Sequence, residues 1–340
     1  MSAEEALLAA VRRGLGDAAT GRGVDVGIGD DAAVLRLPPG RHLVATVDMI
    51  VEGQHFRRQG VGAGSLRDVG WRALAVNLSD LAAMGAQPLW ALSSVGVPTG
   101  MAADELQDLS AGMAEAARRF GVAVVGGNLA HVPERLVVDV TLFGCAEHVV
   151  PRGGGRPGDR VCVTGHLGVA AAGLALSHGD ARERGDPSAA DRDGLLAAQR
   201  RPEPRVREGL ALGALAPTGV RAMCDVSDGL TRDLGHLCGP GLGAVLWRSA
   251  LPVPPGVHAT ALALGASAWD WALGGGEDYE LLCLVAPEAV AAAREAVAGC
   301  GGASLTVIGE CVARAGLYLA EAPGGRDRPL AAAGWDPFGR

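Results

Sequence analysis

The sequence predicts an α/β (α+β) protein of two domains, the first over residues 1–150 and the second over 151–340. Three observations carry that prediction. The chain has 340 residues, more than one typical domain holds. Apolar runs of strand length alternate with segments of helical periodicity from one end to the other. One polar stretch, PRGGGRPGD at 151–159, has the composition of a linker.

In chain order, residues 5–15 predict a short helix. VDVGIGDDAAVL and HLVATVDMIVEG read as strands, with PPGR as the turn between them. From Ser65, SLRDVGWRALAVNLSDLAAMG has the apolar spacing of a long helix closed by Gly85. PLWALSSVGVP is strand-like, and ADELQDLSAGMAEAARRFG is an amphipathic helix stopped by Gly121. VAVVGGN and RLVVDVTLFGCAE complete about four strands with two principal helices. In the second half, DRVCVTG predicts a strand leading into a glycine turn and an alanine-rich helix. Residues 177–204 are polar and Pro-rich and read as a surface excursion. VREGLALGALA predicts a helix, AMCDVSDGL a strand running into a turn, and LTRDLGHL a further helix. ALGGGEDYELLCLV predicts a turn into a strand, followed by the helix PEAVAAAREAVAGCG.

Composition excludes several functions. A net charge of −8 leaves no basic face for general nucleic-acid binding. No apolar run reaches the roughly 18 residues of a membrane helix, and the acidic start MSAEEALLAAVRRGLG does not read as a signal peptide. The seven cysteines are odd in number and form no CxxC pair, which fits reduced thiols in the cytoplasm better than a disulfide frame or a zinc site. Every basic residue of the Lys/Arg class is arginine. A bias towards GC-rich codons accounts for the missing lysine, but the consequence holds: a P-loop, a protein-kinase site and a pyridoxal Schiff base each need one.

Acidic residues recur at strand ends and turns: Asp30 and Asp31, Asp48, Asp80, Asp225 and Asp228, Glu277 and Asp278. Taken singly, each is most simply a cap or a solvated turn residue. Asp48, inside the apolar strand TVDMIV, and Asp80, inside AVNLSDLAAM, are harder to dismiss, because a charge facing a core needs a partner. Hard, oxygen-rich donors of this kind suit magnesium together with substrate phosphates. VVGGN, VTGHLG and LGGGEDYE end apolar runs in glycine. With 52 glycines in the chain, tight turns explain any one of them, and backbone N–H groups facing phosphate oxygens are the functional alternative. None matches GxGxxG with its acidic partner, so a Rossmann site is poorly supported.

GIGDDAAV, VDMIVEGQHF, NLSDLAAMGAQP, PRGGGRPGDRVCVTGHLG, RPEPRV, DVSDGLTRDLGH and GGEDYELL, in this order, resemble the thiamine-monophosphate kinase family. That family is a branch of the aminoimidazole ribonucleotide synthetase superfamily of ATP-users. The likeness runs from about residue 25 to GWDPF near the C-terminus. The resemblance implies a two-domain aminoimidazole ribonucleotide synthetase-like fold, with the N-terminal sheets of two subunits forming a barrel-like homodimer. It implies ATP-dependent phosphorylation of thiamine monophosphate to thiamine diphosphate by direct in-line transfer, without a P-loop and without a phosphoenzyme. It implies several Mg2+ ions, with ATP as co-substrate. By the same resemblance Asp31, Thr46, Asp48, Asp80, Asn128, Asp225 and Asp228 match metal positions. Gly127, Asn128, Arg152 and Ser227 match nucleotide contacts, and His55, Glu277 and Trp335 match substrate positions. Asp30 would hold its turn or act through water. No residue is implied as a base or covalent nucleophile. A phosphate monoester, with a second pKa of about 6, is already an anionic nucleophile at neutral pH.

Two positions depart from the family pattern. Asn128 stands where the family carries Asp, keeping one oxygen ligand but losing a charge. Val47 stands where many relatives carry Ser or Thr, leaving only a carbonyl to bind there. Two rivals follow: another ATP-using member of the superfamily acting on a nucleophile such as a formylglycinamidine, and a non-catalytic nucleotide-binding regulatory homologue.

Overall fold

The computed structural model describes residues 3–28, 32–60, 62–178 and 188–335. The chain forms two compact units: residues 1–81 with 86–147, and residues 82–85 with 148–340.

The first unit opens with helix α1 (Ala3–Leu15) and the short strands β1 (Val24–Val26) and β2 (Val34–Leu35). It continues through β3 (His42–Val51), α2 (Leu66–Ala83), β4 (Gln87–Pro98), α3 (Ala103–Phe120), β5 (Ala123–Val132) and β6 (Val137–Ala146). VDVGIGDDAAVL, expected as one strand, is instead the β1–β2 antiparallel pair. Gly27 follows β1 rather than lying inside a strand. Residues 69–79 of α2 are buried on every side, so this helix is apolar throughout rather than striped. α3 starts where Glu105 accepts a hydrogen bond from the Ala102 N–H. It stops at Gly121 in the left-handed region, with Arg118 and Arg119 in the last turn opposing the helix dipole.

The four long strands form one sheet in the order β3-β6-β4-β5. β3/β6 and β6/β4 are antiparallel, and β4/β5 is parallel. In β6, Val138, Val140 and Leu142 are buried while Asp139, Thr141 and Phe143 are half-exposed, so one face is covered and the other open. β3 is an edge strand whose odd-numbered face carries Leu43, Val47 and Met49 at 56%, 58% and 50% exposure.

The second unit contains β7 (Arg160–Thr164), α4 (Val169–His178), α5 (Ala189–Arg200), α6 (Val206–Ala214), β8 (Val220–Asp225) and α7 (Leu230–Cys238). Then follow β9 (Gly243–Trp247), α8 (Pro255–Leu264), α9 (Ala268–Gly274), β10 (Leu281–Val285), α10 (Val290–Gly299), β11 (Leu305–Val312), β12 (Gly316–Ala320) and β13 (Arg328–Leu330). Seven strands form one sheet in the order β13-β12-β9-β11-β7-β10-β8, antiparallel throughout except for β12 beside β9. Val161, Val163, Leu282, Leu284 and Ile308 meet Leu230, Leu234 and Leu237 of α7 in the core. Each such fully buried aliphatic side chain contributes about 1.5–3 kcal/mol.

The surface excursion expected at 177–204 contains α5. Ser188 caps this helix by accepting from the Asp191 N–H, and Leu195 packs against Leu176 and Ala172 of α4. A single apolar pair in a polar segment was enough to dock it. Among the described residues, no helix is long and apolar enough to cross a membrane.

Candidate active site

In the first unit, strand alternation decides which candidates share a face. Thr46 and Asp48 lie two residues apart on β3, on the face opposite the exposed Leu43–Val47–Met49 stripe. α2 brings Asp80 to that face, where the Thr46 hydroxyl donates to Asp80 Oδ2 at 2.6 Å. The apolar surroundings that made Asp80 suspicious are therefore real, and the partner it needed is Thr46. Val47 contributes no side chain to this group, because it points to the other side of the sheet. Asp30 and Asp31 lie outside the described residues.

Asp48 pairs with Val140, Val140 with Ser93, and Ser93 with Gly127, so one row crosses the whole sheet from Asp48 to Gly127. The two ends of that row are three strand spacings apart, about 14 Å. A single chain does not bring Asp48 and Asn128 together. Gly127 is required by a close approach: a Cβ there would meet the Ser93 carbonyl oxygen at 1.9 Å. Beside it a recess opens between α1, α3 and the sheet, lined by Val11, Leu15, Leu109, Met113 and Val124 and ending at Gly127 and Asn128. Ser93 Oγ, on its wall, is buried and has no hydrogen-bond partner among the described residues.

His55 sits in the tight turn after β3. Its Nδ1 accepts from the Val51 N–H at 3.0 Å, and its own N–H donates to the Val51 carbonyl. That geometry places the ring proton on Nε2. Glu52 fixes the same turn, accepting from Arg58 Nε at 2.8 Å and from the Leu136 N–H at 2.9 Å.

In the second unit, β8 ends at Asp225, 2% exposed, and the chain turns through Ser227 and Asp228 into α7. Three separate motifs meet at this turn. The Glu277 N–H donates to the Ser227 carbonyl at 2.8 Å, and the Trp335 N–H donates to the Asp228 carbonyl at 2.9 Å. Glu277 and Tyr279 hold φ of 59° and 49°, a left-handed conformation that costs non-glycine residues on the order of 1–3 kcal/mol each. Glu277, Ser227, Asp228 and Trp335 are thus assembled from segments up to about a hundred residues apart. Arg152 is exposed, and its charge offsets a small part of the rise that burial imposes on the Asp233 carboxyl.

Asp233 was not among the sequence candidates. Its Oδ2 accepts from the N–H groups of Ser227, Asp228 and Gly229 at 3.1, 3.1 and 3.0 Å. Burial and the Asp228 charge nevertheless lift its pKa to about 6. The backbone donors of this turn are therefore occupied by the chain itself.

The VTGHLG turn tells the same story. Asp278 accepts from the N–H groups of Gly168 and Ala170 at 2.7 and 3.0 Å, and burial pushes its pKa up to about 7. Glu280 accepts from the His166 N–H, the Thr164 hydroxyl and both Nε and Nη2 of Arg205. Asp278 fills the N-terminus of α4 and Glu280 holds the strand end before it, so VTGHLG is the tight turn that its glycines suggest, satisfied by the chain's own carboxylates. The sequence did hold a signal: RPEPRV supplies an arginine, and GGEDYE supplies more carboxylates than a substrate contact needs.

Among the described residues no three His, Cys, Asp or Glu side chains cluster closely enough to hold a metal by themselves. The donors present are carboxylates and a hydroxyl in pairs. Such a set suits magnesium, which takes one or two carboxylates from protein and the rest from water and phosphate.

Residues 29–146 match the family model for the N-terminal domain of AIR synthase related proteins, and residues 156–320 match that for the C-terminal domain. The thiamine-monophosphate kinase of Rhodopirellula baltica is 35% identical over 303 residues, covering 87% of this chain and 86% of that protein. The crystal structure of thiamine-monophosphate kinase from Stenotrophomonas maltophilia superposes with a TM-score of 0.77 at 33% identity, covering 94% of this chain and 97% of that one. A structure described as AaThiL complexed with AMPPCP and TMP gives a TM-score of 0.74 at 27% identity, with 99% of each chain covered.

Proposed function

The chain belongs to the thiamine-monophosphate kinase family, and on that premise we propose that it transfers the terminal phosphoryl group of ATP to thiamine monophosphate, giving thiamine diphosphate and ADP. The observation that carries the reading is the meeting of the SDG turn, the GGEDYE turn and the C-terminal GW segment at Asp228. Pairing of β10 with β8 brings the first two turns together, and the C-terminal segment adds Trp335 beside them, so Asp228, Glu277 and Trp335 lie at one end of the sheet.

The acceptor phosphate needs no base, so the protein's work is positioning and charge compensation. Gly127 lets a phosphate approach the β5 backbone, and the recess beside it is apolar enough for a purine, with Ser93 Oγ available to it. Arg152 supplies a guanidinium to phosphate oxygens, and Ser227 a hydroxyl. Trp335, 54% exposed, offers a ring face to the cationic thiazolium of thiamine, while Glu277 and the Nε2–H of His55 orient the substrate. In the first unit Thr46, Asp48 and Asp80, with Asp31 and Asn128, and in the second unit Asp225 and Asp228, are the residues that would hold magnesium. When bound, magnesium offsets the repulsion between two polyanions and the charge that builds on the transferring group.

The apolar stripe Leu43–Val47–Met49 on an edge strand supports a homodimer in which two open sheet faces close on each other. Such closure can carry the Asp48 edge of one sheet towards the Asn128 edge of the other, which one chain alone does not achieve. All seven cysteines are free thiols, in keeping with a cytoplasmic protein.

Asp48→Ala tests the assignment. Asp48 is exposed on β3, so its loss should leave the thermal midpoint within about 2 °C and abolish turnover. Near-normal turnover in a folded variant would remove Asp48 from the site.

A further inference from the structure

Beyond Leu330, which packs on the core, the described C-terminal residues 331–335 are all exposed. Ala333 lies close against Gly274 of α9, and polar contacts hold the segment to the first turn of α7. The Ala333 N–H donates to Thr231 Oγ1 at 2.8 Å, and that hydroxyl lies 2.7 Å from the Ala333 carbonyl. The Trp335 N–H donates to the Asp228 carbonyl. Arg232 then spans both ends: its Nη1 donates to the Trp335 carbonyl, and its Nε lies 3.4 Å from Asp228 Oδ2. Between these contacts Gly334 presses onto the turn. A Cβ there would meet the Asp228 carbonyl oxygen at 2.6 Å and the Arg232 side chain at 3.0 Å.

We propose that Arg232 and Gly334 are positioning residues that latch the C-terminal segment onto the SDG turn, fixing Trp335 at a set distance from the Asp228 carboxylate. The proposal rests on the reading of Trp335 as the thiamine-stacking residue. The physical reason is entropic. A segment that buries little apolar area samples many conformations, and a stacking residue on it binds weakly unless its ordering is paid before the ligand arrives. One guanidinium that grips both the segment's carbonyl and the turn's carboxylate does this without touching substrate. Gly334 permits the approach that makes the grip possible. The consequence is specific to one substrate: affinity for thiamine monophosphate depends on the latch, while affinity for ATP does not.

The test uses the full chain. Arg232→Met keeps the aliphatic stem over Gly334 but removes the donors, and Gly334→Ala lifts the segment while leaving Arg232 intact. Thiamine monophosphate binding is followed by calorimetry, and KM is measured separately for both substrates. Both variants should weaken thiamine monophosphate binding and raise its KM about tenfold, the equivalent of losing one charge-assisted hydrogen bond. KM for ATP should stay within about twofold. Wild-type affinity in both variants, with Trp335→Ala clearly weakened, overturns the latch and leaves the stacking reading standing. Wild-type affinity in Trp335→Ala overturns both. An equal rise in KM for ATP also overturns the latch, because Arg232 would then be acting on Asp228.

Discussion

Replacing Arg205 with methionine removes the cation from a buried pair whose partner cannot follow it to water. Glu280 is 3% exposed, and Arg205 grips it with two bonds of 2.7 and 2.6 Å. After the substitution two donors remain, the Thr164 hydroxyl at 2.7 Å and the His166 N–H at 3.2 Å. Breaking a buried pair from one side costs about 3–5 kcal/mol, and the surviving donors place this case near 3. For a unit of this size each kcal/mol lowers the midpoint by about 2–4 °C, so a fall of about 6–12 °C is expected. The assay is thermal and urea unfolding of the variant, of Glu280→Gln and of the double variant. If the loss comes from a stranded carboxylate, the double variant recovers most of it, because a neutral amide satisfies the two remaining donors at lower desolvation cost. A loss below about 0.5 kcal/mol in Arg205→Met, or a double variant whose losses simply add, would refute the reasoning.

Asp278 carries an unusual sign. Its folded pKa of about 7 lies above the roughly 3.9 of an unfolded aspartate, so the folded state holds the extra proton between those values. Its contribution is therefore complete below about pH 4 and lost as pH rises through 7. Asp278→Asn should flatten that part of the stability profile, which midpoints at pH 5 and 8 measure; an unchanged slope rejects the assignment. Asn128→Asp should lower the magnesium concentration for half-maximal rate if this position binds metal, whereas an unchanged midpoint with a raised KM for ATP assigns it to the nucleotide alone. Gly127→Ala should lower the thermal midpoint, since the Cβ collides with the Ser93 backbone of β4, which cannot turn aside; an unchanged midpoint would show that β5 accommodates it.

Much of this was legible in the sequence because it depends on local chemistry. Helices such as α3 announce themselves by a capping glutamate and a terminal glycine, and Asp48 and Asp80 stood out as charges inside apolar patterns. What was not legible depends on distance along the chain. Asp233 looked like an ordinary helix residue until its three backbone donors were folded back upon it. Asp278 follows its own glycine turn in sequence, whereas the turn it fills lies more than a hundred residues away. Arg232 gains its meaning only from an exposed terminal segment with no pattern of its own. α5 was missed because one leucine pair, which periodicity over a polar stretch cannot resolve, decides its docking.

The most direct test of the central claim is the product formed from magnesium, ATP and thiamine monophosphate by the purified chain, followed by phosphorus NMR. Thiamine diphosphate and ADP should form in equal amounts, with no inorganic phosphate beyond background and no product from unphosphorylated thiamine. ATP hydrolysis without thiamine diphosphate, or efficient phosphorylation of free thiamine, would contradict the claim.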